Sequence, residues 1–242
     1  MKNTSILLLL LVSTFVGCRK NPDVKITPDP KNKKTDIVEK TDSDALEEHY
    51  VDSTKIGIKG HFKLDLRKFR TVDSVYAIVR FYQKSDGKWK LKQQLKFDKD
   101  GIVGCDPEFS DFNNDGNGDF TFKNGVAARR ANEMRLLIIF DPKKRELTLM
   151  KNSGEHPNLK YNRELDCIEG FHVYGGALTC FLKIESDSLR EFANVETFDD
   201  TLTVTKIDKK GKQRQILRKH FEESYVRFKN YDPVEEYQDG SY

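Results

Sequence analysis

The chain has 242 residues, of which 37% are hydrophobic and 33% charged, a balance that suits one sizeable domain with a real core and a heavily solvated surface. Its 42 basic and 39 acidic side chains leave a formal charge of only +3. No basic stripe stands out, so the electrostatic footprint of a nucleic-acid binder is absent and no nucleic-acid partner is expected.

Residues 1–18 form a unit of their own. Lys2 precedes an apolar run over residues 6–12, and the segment closes with Phe15-Val16-Gly17-Cys18. The run is too short and wrongly flanked for a transmembrane helix. It resembles a bacterial lipoprotein signal peptide, in which a cysteine directly follows a small residue, although Phe15 stands where such peptides usually carry Leu. A plain secretory signal with an incidental cysteine is the alternative. The resemblance implies that Cys18 becomes the lipidated first residue of the mature protein and ties it to a membrane. Acyl chains contribute about 0.8 kcal/mol per buried CH2, so a multiply acylated terminus stays there. Arg19 follows where an Asp would imply inner-membrane retention, and the outer membrane of a Gram-negative envelope is therefore expected.

Residues 19–53 are rich in Lys, Asp, Thr and Pro and show almost no apolar periodicity, with prolines at 22, 28 and 30. Such composition cannot offset its ordering entropy, so a disordered tether is expected, spanning on the order of 30 Å. From residue 54 to 230 the spacing changes to period two, the mark of strands with one buried face. Ile56, Ile58, Phe62, Leu64 and Leu66 alternate with polar residues, and Val75, Ala77, Val79 and Phe81 repeat the pattern. Ser85-Asp86-Gly87 then supplies a hairpin turn before Trp89, Leu91, Leu95 and Phe97. Strands are also expected over 134–140 and 145–150, separated by Asp141-Pro142-Lys143-Lys144, and over 164–172, 178–185, 189–195, 201–207 and 214–221. Short strands at regular spacing predict an all-β fold, an antiparallel β-sandwich or meander. Helix should be confined to a turn near 154–159, and residues 231–242 read as a flexible acidic tail.

Between these strands lies Asp111-Phe112-Asn113-Asn114-Asp115-Gly116-Asn117-Gly118-Asp119. Oxygen-bearing side chains fall at loop positions 1, 3, 5 and 9, with glycine at 6. Calcium is a hard ion that takes six to eight oxygens at about 2.3–2.6 Å, and a tight turn of this spacing wraps one. An EF-hand would carry a bidentate Glu at position 12, where this chain has Phe122. The loop thus predicts a structural Ca2+ held by the side chains of Asp111, Asn113, Asp115 and Asp119 and the carbonyl of Asn117. Water or a carboxylate such as Asp106 or Glu108 would complete the shell.

The loop, followed by a strand that ends Phe140-Asp141-Pro142-Lys143 and a basic turn, resembles exported bacterial lipoproteins with a D-x-N-x-D-G-x-x-D calcium loop, similar to periplasmic immunity proteins of the lysozyme-inhibitor type. The motif covers residues 111–147, and the strand pattern roughly 55–220. The resemblance implies a β domain with a lysozyme-like enzyme as protein partner. Those inhibitors insert a Ser-Gly-x-x-Tyr-like loop into the enzyme cleft. Here Ser153-Gly154-Glu155-His156 lacks the tyrosine and Tyr174-Gly175-Gly176 lacks the serine.

Other chemistry is sparse. Histidines 49, 61, 156, 172 and 220 are scattered without a metal-binding spacing, so each reads as a surface or strand residue. With Cys18 assigned to lipid, Cys105, Cys167 and Cys180 remain, and either Cys167 and Cys180 bridge neighbouring strands or all three are buried thiols. Asp199-Asp200 and Glu222-Glu223 are adjacent pairs, which point to opposite faces of a strand and make a poor glycosidase site. Trp89, Tyr76, Tyr82 and Phe81 fit a strand core with an aromatic rim better than a sugar platform. The expectation is a membrane-anchored, non-enzymatic binding module facing the periplasm. Its contact loops would be residues 153–159, with Ser153, Gly154, Glu155 and His156, and residues 174–177, with Tyr174, Gly175 and Gly176. The alternative is an envelope structural or glycan-binding lipoprotein without catalytic activity.

Overall fold

The computed structural model describes residues 44–237. The expected signal segment, Cys18 and most of the expected tether lie outside the described residues. Within them the chain is all-β, and every paired strand is antiparallel. The first sheet is a meander of β1 (Ala45–Asp52), β2 (Phe62–Arg70), β3 (Val75–Ser85) and β4 (Lys88–Lys99). The second holds β5 (Glu108–Ser110), β6 (Asp119–Ala127), β7 (Asn132–Asp141) and β8 (Glu146–Leu149). The third runs from β9 (Lys160–Asn162) through β10 (Cys167–Val173), β11 (Ala177–Glu185), β12 (Ser188–Phe198) and β13 (Thr201–Ile207) to β14 (Gln213–His220). A hairpin of β15 (Phe228–Tyr231) and β16 (Val234–Glu236) follows. Among the described residues no helix is long and apolar enough to cross a membrane.

Strand alternation explains how these sheets stack. On β7, Leu136, Ile138 and Phe140 point one way, joining Phe62, Leu64, Leu66, Ala77, Val79 and Phe81 of the first sheet in one core. Leu137 and Ile139 point the other way and pack with Ile168, Cys180 and Leu182 of the third sheet. The second sheet is therefore the middle layer, and residues 135–140 of β7 are buried without interruption. A continuous apolar run is what a strand covered on both faces requires. The outer face of the third sheet, with Cys167, Phe181, Val195 and Val204, is covered by Phe228 and the residues around it.

Several expectations change in detail. The domain begins before residue 54, because Ala45–Asp52 is an edge strand. It is mostly exposed and so shows no apolar alternation. Ile56 and Ile58 precede β2 in a connection whose Gly57 bridges to Gly118. Residues 231–237 are not a loose tail, since Val234–Glu236 pairs with β15 and the Tyr237 hydroxyl donates to Glu169 Oε1 at 2.8 Å. Fully buried Glu169 also takes an ion pair from Arg227 at 3.1 Å, which fastens this segment to the third sheet.

All three described cysteines are free and buried. A Cys167–Cys180 disulfide is ruled out by strand parity. Cys180 faces Gly170 across the β10–β11 ladder, so Cys167, an odd number of residues from Gly170, lies on the opposite face of the sheet.

Candidate functional site

The acidic loop joins β5 to β6 and is anchored at both ends. Phe112 is buried in the core between the second and third sheets. At the other end, the Gly57 N–H donates to the Gly118 carbonyl at 2.7 Å and the Gly118 N–H returns to Gly57 at 3.3 Å. A Cβ on Gly118 would sit 1.7 Å from the Lys55 carbonyl oxygen, so only glycine allows this approach. At loop position 6, Gly116 takes φ +83°, the left-handed geometry that the spacing predicts.

Inside the loop the carboxylates collect backbone N–H groups. Asp111 accepts from Asp115 N–H at 3.0 Å and Gly116 N–H at 2.8 Å. Asp115 accepts from Asn117 N–H at 2.8 Å, and Asn113 Oδ1 accepts from Asp115 N–H at 3.2 Å. Asp119 is 0% exposed. It accepts from Phe140 N–H at 2.8 Å and Phe112 N–H at 2.9 Å, so one carboxylate joins loop, β6 and β7. Burial pushes its pKa up to about 7 against the pull of those two N–H groups, and the negative charges of Asp115 and Asp111 push it the same way. Asp106 and Glu108, offered as extra oxygens, are engaged elsewhere. Asp106 pairs with Lys123 at 2.6 Å, which holds its carboxyl below the usual range, and Glu108 pairs with buried Arg135 at 3.2 Å.

The two expected contact loops divide. Ser153 is 0% exposed, with its Oγ accepting from Leu137 N–H at 3.0 Å and donating to the Met150 carbonyl at 2.7 Å. It is a structural pin at the head of a 3-10 turn, Ser153–Glu155, in which Glu155 is exposed and Gly154 partly so. His156 turns inward, toward His172 and Cys180. Burial lowers the pKa of both histidines, that of His156 to about 4, so both are neutral at pH 7. In the other loop Gly176 is buried while Tyr174 and Gly175 are exposed. Tyr174 stacks on Phe198, at the tip of the neighbouring β12–β13 hairpin, with ring centroids 6.3 Å apart.

Sequence reasoning missed Phe198, because its partner lies 24 residues away on another hairpin. It also missed the convergence of His156, His172 and Cys180. Among the described residues these three form the group of His, Cys, Asp or Glu side chains whose ligand atoms come within 4.8 Å of one another; Asp111, Asp115 and Asp119 make no such group. Of the aromatic residues considered as a sugar platform, Phe81 and Tyr76 are buried, while Lys63 lies over both Tyr82 and Trp89.

No protein-family model matches the chain, and no curated protein matches it. Among solved structures, a Xanthomonas protein described as related to a type IV secretion system is similar over 72% of this chain and 93% of its own, with 10% sequence identity and a TM-score of 0.43.

Proposed function

We propose that the chain is an exported bacterial lipoprotein, anchored through Cys18 at the outer membrane, whose β domain acts by binding a protein partner and is stabilised by Ca2+ in the loop 111–119. The observation that carries the binding reading is the exposed aromatic pair at two adjacent hairpin ends, Tyr174 at 41% and Phe198 at 51% exposure. Large aromatic side chains held rigidly at loop tips are the anchors that protein interfaces favour. A lysozyme-like enzyme is the partner class implied by the resemblance of the loop and its following strand. Cross-linking in the native envelope tests it: one discrete protein partner is expected, with recovery at least tenfold lower for Phe198→Ser at unchanged melting temperature. Retention on peptidoglycan in place of a protein partner would overturn this reading in favour of a glycan-binding lipoprotein.

Buried Asp119 supports the calcium part. A fully buried carboxylate whose acting charges are two further carboxylates is electrostatically unbalanced, and a divalent cation would restore the balance once the loop closes so that Asp111, Asn113, Asp115, Asp119 and the Asn117 carbonyl converge on it. Each carboxylate oxygen that accepts one N–H keeps a second lone pair for a metal. Adding Ca2+ to chelator-treated protein should raise the melting temperature, since a ligand bound only to the folded state stabilises by about 2.7 kcal/mol at a hundred times its Kd. Asp115→Ala should remove the rise, and a wild-type melting temperature indifferent to Ca2+ ends the assignment.

A further inference from the structure

His156, His172 and Cys180 belong neither to the acidic loop nor to the exposed aromatic pair, yet they aim three different ligand atoms at one point. Cys180 Sγ is 3.6 Å from His172 Nε2 and 3.7 Å from His156 Nδ1, and all three ligand atoms lie within 4.8 Å of one another. The two imidazole planes are perpendicular, with ring centroids 6.0 Å apart.

The local sequence explains the convergence. Across the β10–β11 ladder Gly170 faces Cys180 and His172 faces Leu178. Residues two apart on a strand share a face, so Gly170, His172 and Cys180 all point to the same side of the sheet. A Cβ on Gly170 would stand 2.7 Å from Cys180 Sγ and 3.2 Å from the Cβ of His156. The missing side chain is the space that the thiol and the second imidazole occupy.

His156 reaches this face from the connection that leaves the second sheet, and its position is fixed on both sides. Its own N–H donates to the Ser153 carbonyl at 3.2 Å. The next residue, Pro157, accepts from Phe171 N–H on β10 at 2.8 Å. Asn158 donates through Nδ2 to the Phe171 carbonyl at 2.8 Å and accepts from Glu133 N–H at 3.1 Å, tying the same stretch to β7.

The distances suit a metal. Zinc with Zn–S about 2.3 Å and Zn–N about 2.0 Å at tetrahedral angles places sulfur and nitrogen about 3.5 Å apart. Both observed Sγ···N distances, 3.6 and 3.7 Å, meet that spacing. Both histidines are partly exposed, which gives an ion a path from solvent, while Cys180 is 0% exposed. Calcium and magnesium demand oxygen ligands, whereas a thiolate with two imidazoles selects softer transition-metal ions. A core thiol that merely fills volume would need no histidines around it, and its one carbonyl contact, to Gly170 at 3.5 Å, is weak.

We propose that His156, His172 and Cys180 form a metal site, separate from the acidic loop, which takes a thiophilic d10 ion, Zn2+ or Cu+, through one thiolate and two imidazoles and keeps one coordination position open to solvent. Binding replaces the thiol proton, which is released to solvent, and cross-links the 156–158 connection to β10 and β11. The site is independent of the lipoprotein and calcium readings.

The test uses the full chain, reduced, with Co2+ as the spectroscopic surrogate for zinc and Cu+ in a parallel competition against a chromogenic chelator. Wild type should take up one equivalent of Co2+ with a thiolate-to-cobalt charge-transfer band that one equivalent of Zn2+ bleaches, or withdraw one equivalent of Cu+ from the chelator. Cys180→Ser should abolish the band. His156→Asn and His172→Asn should each weaken binding at least tenfold, with melting curves verifying that they fold, and Asp115→Ala should leave it unchanged. Failure of wild type to take up either ion stoichiometrically overturns the proposal, as does an affinity that survives Cys180→Ser.

Discussion

At the residue scale, Asp119 carries the most informative chemistry of the acidic loop. It is the ninth loop residue and also the first residue of β6, and both its oxygens accept N–H groups from other parts of the second sheet and the loop. Without a cation its pKa lies near 7, against an ordinary value of about 4. Below about pH 4 the group is protonated whether the chain is folded or not. Between about 4 and 7 the folded state keeps the proton and the unfolded state has lost it, so this group's contribution to stability falls as pH rises through that window and is level above it. In chelator, the unfolding free energy of wild type relative to Asp119→Asn should therefore decline from pH 5 to 7. Saturating Ca2+ should flatten the difference, because the bound ion favours the charged form. Parallel wild-type and variant curves in chelator would show that Asp119 does not titrate there. The left-handed turn at Gly116 was legible from spacing alone. The role of Gly118 was not, since it depends on the Lys55 carbonyl from a distant segment.

At the scale of elements, alternation located the strands that have one buried face. The β3–β4 hairpin turns at Asp86 and Gly87, with φ of +52° and +73°, where Ser85-Asp86-Gly87 placed it. Alternation of apolar residues fails where the inward face of a strand carries polar side chains, as Glu48 and Asp52 do on β1, or where a strand is buried on both faces, as at Phe120 and Thr121 of β6. The β15–β16 hairpin was missed for a different reason. Its single fully buried anchor, Phe228, packs only because the outer face of the third sheet lies beneath it. That N–H donates to Thr179 Oγ1 at 3.1 Å, and the ring lies 6.0 Å from Phe221. Phe228→Ala should cost about 3–5 kcal/mol by denaturant titration, as for other large-to-small changes in a packed core. A cost below about 1 kcal/mol would mean that the hairpin is a dispensable flap.

For the whole molecule, three stacked sheets turn strand parity into location. The core between the first and second sheets and the core between the second and third are separated by the second sheet, where alternate residues of β7 feed one or the other. The same rule sends Cys167 outward under the terminal hairpin and Cys180 inward toward β7, which keeps them apart even though their strands are neighbours. Both cysteines should therefore react with an alkylating agent in denaturant without prior reduction, as read by peptide mass. A Cys167–Cys180 disulfide-linked peptide under those conditions would mean that the β10–β11 register differs from the one described.

The all-β class, the tight turn with its glycine at loop position 6, and the period-two strands rest on local rules: side-chain alternation and turn chemistry act over a few residues and are written in the sequence itself. Which side chains meet was decided by tertiary structure. The inward turn of Ser153, the Tyr174–Phe198 pair and the convergence of His156, His172 and Cys180 all depend on register across a ladder and on which sheet lies above another. Those choices are set by burial summed over the whole chain, so no window of neighbouring residues contains them.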